Sequence, residues 1–154
     1  MDFQEAMERQ TKKYLEQHPD LESRPDGGAG YAFEDLCKYY LENGPWGLQT
    51  TADVWKWSDP KNPLLRRIED EDKDLSLQDK GCDLVVQTDD GSYYMVQCKY
   101  YPNSALTLDR AHLANIFPLA SRCHVPDDHI IFCYIAAQVS PNAQEVLSSP
   151  RPAD

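Results

Sequence analysis

No apolar run in this chain of 154 residues approaches the ~18 that a membrane-spanning helix needs. Its opening stretch, MDFQEAMERQTKKYLEQ, mixes both charge signs and lacks the continuous apolar core of a secretory signal. A bilayer-embedded or exported protein is therefore not expected. Cysteine lacks a pattern: Cys37, Cys82, Cys98, Cys123 and Cys133 are odd in number, widely spaced and without a CxxC pair, which argues against a disulfide framework. We expect a reducing, cytoplasmic setting with the thiols mostly in the core. Positive charge is scarce as well, with 15 Lys and Arg against 26 Asp and Glu and a net charge of −11. That balance argues against a protein that grips nucleic acid through a broadly basic surface. It still permits a site for divalent cations, which is acidic when empty.

What is present suits one α/β domain. We place it over residues 1–148, with a helical N-terminal extension over 1–24, a charged insertion over 58–80 and a linker-like tail, SSPRPAD, closing the chain. Internal repeats are lacking. Residues 2–17 read as a helix, and the turn-rich PDGGAG separates it from a second, YAFEDLCKYYL, whose Phe33, Leu36, Cys37, Tyr40 and Leu41 recur at spacings of three and four. Asn43, Gly44 and Pro45 stop that helix. The alternating DVWKW marks a first strand, with Trp55 expected in the core and Trp57 on the sheet surface. Residues 58–80 contain Pro and many charges and read as a surface loop or short helix, with EDEDKD as a solvated run. A hairpin follows. TLDRAHLANIFPLASRC is helical with Pro118 kinking or shortening it, DHIIFCYIAAQVS is a buried strand, and Ser140-Pro141 can start a last helix. Helix, three strands, helix, strand and helix make a mixed central sheet flanked by helices, and a right-handed crossover makes the last strand parallel to its neighbour.

The hairpin, GCDLVVQTDDGSYYMVQCKYY, carries more polar residues than a buried strand pair needs. If Asp89, Asp90 and Gly91 form a three-residue loop with Gly91 left-handed, Thr88 pairs with Ser92, and counting back sets Asp83 opposite Gln97. Lys99 then lies two residues along the same face. A two-residue Asp90-Gly91 turn would instead oppose Asp83 to Cys98 and send Gln97 to the other face. A carboxylate beside an amide oxygen suits a hard cation such as Mg²⁺, and an adjacent ammonium can stabilise a phosphorane-like state. That trio fits phosphodiester hydrolysis. Spacing alone is equally met by a structural hairpin whose Asp83 pairs with Lys99.

GCDLVV followed by YYMVQCKYY resembles the two half-motifs of the PD-(D/E)xK nuclease superfamily, and most closely the Mrr-like restriction endonuclease domains, including those that precede helicase modules. Gln replaces the usual acidic residue of the last half-motif in that group. The resemblance implies a restriction-endonuclease-like αβββαβ core and a Mg²⁺- or Mn²⁺-dependent endonuclease acting on DNA, leaving 5′-phosphate and 3′-hydroxyl ends. It makes Asp83 the principal metal ligand, Gln97 the second residue near the metal, Lys99 the catalytic lysine and the Cys98 backbone carbonyl a further ligand. Glu34 matches an acidic residue that many relatives carry on the helix before the sheet. A plain reading makes it a surface pair with Lys38, four residues on. The resemblance is strong over 81–101, fair over 30–57 and topological from 105 onward.

Arg66, Arg67, Lys56 and Lys61 could contact phosphates, and Tyr100 and Tyr101 could stack on bases, although scattered surface cations and core tyrosines are the plainer readings. The spacing of Cys123, His124, His129 and Cys133 fits no usual zinc finger or ribbon. His112 reads as a packed or surface histidine. No small-molecule cofactor is expected; a homodimer, a helicase or a recognition subunit would suit a nuclease that must cut two strands. The competing function is an inactive nuclease-fold module that binds nucleic acid or protein.

Overall fold

The computed structural model describes residues 28–43, 51–68, 81–101 and 107–147, with Arg9, Lys12, Lys13, Glu16 and Gln17 helical before them. The acidic run EDEDKD and the tail lie outside the described residues. Helix α1 (Gly28–Asn43) places Phe33, Cys37 and Leu41 four apart, and all three are buried in one stripe. It ends where expected, with the Asn43 side-chain amide donating to the Tyr39 carbonyl at 2.9 Å.

Strands β1 (Thr51–Lys56), β2 (Leu84–Thr88), β3 (Tyr93–Tyr101) and β5 (Ile130–Ala136) form one sheet in the order β1-β2-β3-β5. The first three pair antiparallel, and β5 joins β3 in parallel, as the crossover rule requires. The sheet is covered on both faces, which is why β2 and β3 read as nearly continuous apolar runs. On one face α1 meets Leu84, Val86, Tyr94, Val96 and Cys133. On the other, Val85, Met95 and Ile130 pack under Ile116, Leu119 and Ala120.

Two local expectations are corrected, and the surface loop or short helix expected over 58–80 is in part a short helix that reaches the core. Trp57 is buried and Trp55 only partly so, the reverse of the expected order, because the chain turns inward after β1 to seat Trp57 beneath Leu64 and Ile68. Pro63–Arg67 is a 3₁₀ turn whose Leu64 and Leu65 belong to the core, so this part of the charged segment is structural. Asn62 holds it, accepting from the Leu64 N–H and donating to the Trp57 carbonyl, both at 3.0 Å. The long helix expected over 107–123 is divided into β4 (Thr107–Leu108), α2 (Arg110–Leu113) and α3 (Ile116–Arg122). Pro118 lacks the N–H that would reach the Ala114 carbonyl and its ring crowds that group, so the break falls at Ala114–Asn115. The freed β4 pairs in parallel with β6 (Gln138–Val139), and this small sheet packs with α4 (Pro141–Leu147) around Leu108, Leu113 and Ala143. Ser140 caps α4, its hydroxyl accepting from the Ala143 N–H at 3.1 Å.

The hairpin loop has the expected three residues. Thr88 N–H donates to Ser92 O at 3.0 Å, Gly91 N–H donates to Thr88 O at 2.9 Å, and Gly91 has φ +88°. Asp90 braces the loop, accepting from the Thr88 hydroxyl at 2.5 Å and the Ser92 N–H at 2.9 Å, and these bonds hold its carboxyl below the usual range. No atom stands within 4 Å of a Cβ added at Gly91, so only backbone strain opposes Gly91→Ala. We expect that variant to lose about 1 kcal/mol, read as a lower urea midpoint at unchanged slope.

Candidate active site

The loop length propagates a register in which Gln87 faces Tyr93, Val86 faces Tyr94, Val85 faces Met95 and Leu84 faces Val96. Continued by one residue, this sets Asp83 against Gln97. At that point the ladder slips: Asp83 N–H donates at 2.8 Å to the Val96 carbonyl, although Val96 is already the partner of Leu84. Two residues thus meet one, as in a β-bulge. The slip lets the Asp83 side chain reach across the strand end, where a carboxylate oxygen accepts from the Cys98 N–H at 2.6 Å. A charge-assisted bond of this length pins the carboxylate to the peptide between Gln97 and Lys99.

Gln97 and Lys99 share the β3 face that carries Met95, while Cys98 points to the α1 side. Gln97 is buried, at 1% exposure, and its amide nitrogen donates to the Gly81 carbonyl at 2.9 Å. Its oxygen, Oε1, is buried without a hydrogen-bond partner. Turning the amide over would only set that oxygen against the Gly81 oxygen. Lys99 is half-buried. The ion pairs found among the described residues join Lys38 to Glu42 and Lys56 to Glu34 and Asp35, so Lys99 is in none of them. The slip replaces the expected opposition of Asp83 to Gln97: Asp83 meets the Cys98 peptide, Gln97 and Lys99 share the Met95 face, and no pair between Asp83 and Lys99 is formed.

Glu34 does not make the anticipated pair with Lys38, which bonds Glu42 at 3.0 Å. It lies 3.3 Å from the Lys56 ammonium, which also bonds Asp35. Lys56 is the partner of Leu84, and the next residue, Trp57, donates its N–H to the Asp83 carbonyl at 2.9 Å, so Glu34 arrives at the same sheet end as Asp83. Burial works to lower the Lys56 pKa, but the Asp35 and Glu34 carboxylates outweigh it and hold it above its usual value. A cation so engaged is a poor phosphate contact.

The other nucleic-acid candidates are likewise occupied in part. Arg67 donates to the Cys123 carbonyl at 2.6 Å and lies over the Tyr93 ring, while Arg66 is exposed. Tyr100 packs against Phe33 and Tyr101 meets His112 edge-on, so both are partly core. Lys61 is exposed. His112 Nδ1 accepts from the Asp109 N–H at 2.9 Å, which makes it part of a helix cap. Cys123 and Cys133 belong to core clusters on opposite sheet faces, so the four Cys and His residues of the zinc reading are not gathered. Among the described residues no group of three or more His, Cys, Asp and Glu side chains could hold a metal ion. A cation here would have to draw on oxygens beyond that set, such as the Gln97 amide.

Residues 42–152 match the family model Mrr_cat_2, described as a restriction endonuclease. The chain belongs to this family. The match spans the whole sheet and the hairpin that carries Asp83, Gln97 and Lys99, and the mixed sheet flanked by helices is the restriction-endonuclease-like architecture. Restriction endonuclease domains are nucleases that act on DNA. No curated protein and no solved structure matches the chain. Within this restriction endonuclease domain, sequence reasoning missed two supports of the site. One is Gly81, signalled only by a lone glycine two residues before Asp83. The other is a cluster of packed free thiols, Cys37, Cys98 and Cys133, on the α1 side of the sheet, where the neighbouring Cys133 and burial push the Cys37 and Cys98 thiols up, so both stay protonated packing groups. No helix of the described residues is long and apolar enough to cross a membrane.

Proposed function

We propose that this domain is a divalent-metal-dependent endonuclease that hydrolyses DNA phosphodiester bonds. The observation that carries the reading is the buried, partnerless Oε1 of Gln97 at the strand end where Asp83 is pinned. Leaving such an oxygen unmade costs roughly 1–3 kcal/mol, and a hard cation relieves it. Asp83, Gln97, the Cys98 carbonyl and Glu34 are the groups that would hold Mg²⁺ or Mn²⁺. The bound ion supplies Lewis acidity and an acidified water. Asp83, fixed by the Cys98 N–H, presents its carboxylate without needing to reorganise. Lys99, on the Gln97 face and outside the ion pairs among the described residues, is the ammonium that can meet negative charge as it builds on the phosphate. Glu34 is shared with Lys56, so its role is conditional on that ion pair loosening.

A second reading, a nuclease-fold module that binds without cutting, is favoured by one observation. The chain carries −11, and two of its candidate phosphate-binding cations, Lys56 and Arg67, are engaged within the domain. A homodimer would supply the second active site, and an associated helicase or recognition subunit with a basic surface the missing positive charge. The deciding experiment incubates duplex, branched and single-stranded DNA with the protein in Mg²⁺ or Mn²⁺ and in EDTA. Cleavage that requires the metal is expected on at least one substrate; DNA retained in a gel shift yet uncut under every metal condition would establish the binding module instead.

A further inference from the structure

Gly81 and Gln97 are joined by more than proximity. Gly81 has φ +106°, a region that L side chains rarely adopt. A Cβ there would lie 2.8 Å from the Asn115 carbonyl carbon, 2.9 Å from Asn115 Cβ and 2.9 Å from the Ile116 nitrogen. Two of those neighbours are backbone at the start of α3 and cannot swing aside. The chain therefore passes over α3 only as glycine, and in doing so it presents the Gly81 carbonyl to Gln97 Nε2 at 2.9 Å. Two further bonds tie the same segments together: Asp83 N–H to Val96 O at 2.8 Å and Cys98 N–H to Asp83 Oδ2 at 2.6 Å. Residues 81–83 and 96–98 form one hydrogen-bonded unit.

We propose that Gly81 is a positioning residue for the metal-binding amide: its carbonyl holds the nitrogen of Gln97, which commits the Gln97 oxygen to the metal and makes Gln, not Glu, the residue this site accepts. A carboxamide has one donor end and one acceptor end. With the donor end held by Gly81, the planar group has no freedom to present its nitrogen to a cation. The partnerless Oε1 is what remains after that commitment. A glutamate would set a carboxylate oxygen against the Gly81 carbonyl in a buried place, two acceptors with no proton between them. This explains a Gln where the superfamily more often carries an acid, and it rests on the nuclease reading because the committed oxygen needs a cation to serve.

The test is NMR of the full chain, isotopically labelled, with the Gln97 side-chain amide and the Gln97 and Asp83 side-chain carbons followed during a Mg²⁺ titration without DNA. The expected result is one Gln97 Hε that exchanges with solvent at least 10-fold more slowly than those of exposed glutamines, together with Mg²⁺-dependent shifts of both the Gln97 Cδ and the Asp83 Cγ. Rapid exchange of both Hε protons overturns the anchor. Protection with a shift at Asp83 but none at Gln97 overturns the proposal and leaves the nuclease reading standing. Mg²⁺ that moves neither carbon overturns that reading and the proposal with it. Gly81→Ala, where it folds, is expected to lose the Hε protection and to weaken Mg²⁺ binding about 10-fold, the size of effect seen when a supporting contact behind a ligand is removed; unchanged protection and affinity in folded Gly81→Ala would overturn the proposal as well.

Discussion

Replacing Asp83 with Asn is expected to lower metal-dependent cleavage by about 10³-fold or more while the urea midpoint stays close to that of the parent. The two readouts separate because the proposed metal-holding role of Asp83 is distinct from its hydrogen bond. Its carboxylate accepts the Cys98 N–H at 2.6 Å, and an Asn oxygen can still do so. The strand end therefore keeps its hydrogen bond. A neutral amide cannot match the charge of a carboxylate toward Mg²⁺, and several kcal/mol of transition-state stabilisation go with the metal, about 10³-fold for each ~4 kcal/mol. Asp83→Ala supplies the contrast. It leaves the Cys98 N–H without an acceptor, so it should also destabilise the fold by about 1–3 kcal/mol. An Asn variant that cuts at the parental rate would remove Asp83 from the metal site.

Lys99→Ala is expected to reduce kcat by about 10²–10³-fold, the range seen when one positioned donor to a developing anion is removed. Mg²⁺ affinity and stability should move little, because Lys99 is half-buried and takes part in none of the ion pairs among the described residues. Single-turnover cleavage under saturating DNA reads the chemical step directly. Lys99→Arg should recover part of the rate, since it keeps the charge but broadens and lengthens the group that carries it. If Lys99→Ala instead raises KM for DNA with kcat unchanged, the lysine binds substrate and does not assist the reaction.

The register of the hairpin was readable from near neighbours, up to the slip at Asp83. A DDG loop between alternating strands left a choice between two registers, and the Thr88–Ser92 hydrogen bond, with Asp90 outside the left-handed region, marks the three-residue form, which aligns β2 with β3 as far as Leu84 and Val96. The pairing of β5 with β3 followed from handedness. Pro118 announced that its helix could not be continuous, though not that the released Thr107–Leu108 would pair with Gln138–Val139. Glu34 shows where such reading stops. Helical spacing offered Lys38, yet Lys38 took Glu42, and Glu34 found Lys56 on the adjoining strand. Periodicity names candidates on one element; which is chosen depends on what another element brings alongside. The inverted burial of Trp55 and Trp57 has the same origin: both face one core, and Leu64 and Ile68, brought in by the segment after β1, are what cover Trp57.

By itself, then, the sequence determined the order of elements, the hairpin register and the set of residues delivered to one end of the sheet, because loop length and the two-residue period of a strand act over neighbouring positions. Only the tertiary structure decided how those residues are held. The slip at Asp83, the grip of Gly81 on the Gln97 amide and the pressing of Asn115 on Gly81 each join segments distant along the chain. Contacts of that kind arise when the α3 crossover docks on the sheet, and no local pattern encodes which backbone atom will lie 2.8 Å from a missing Cβ.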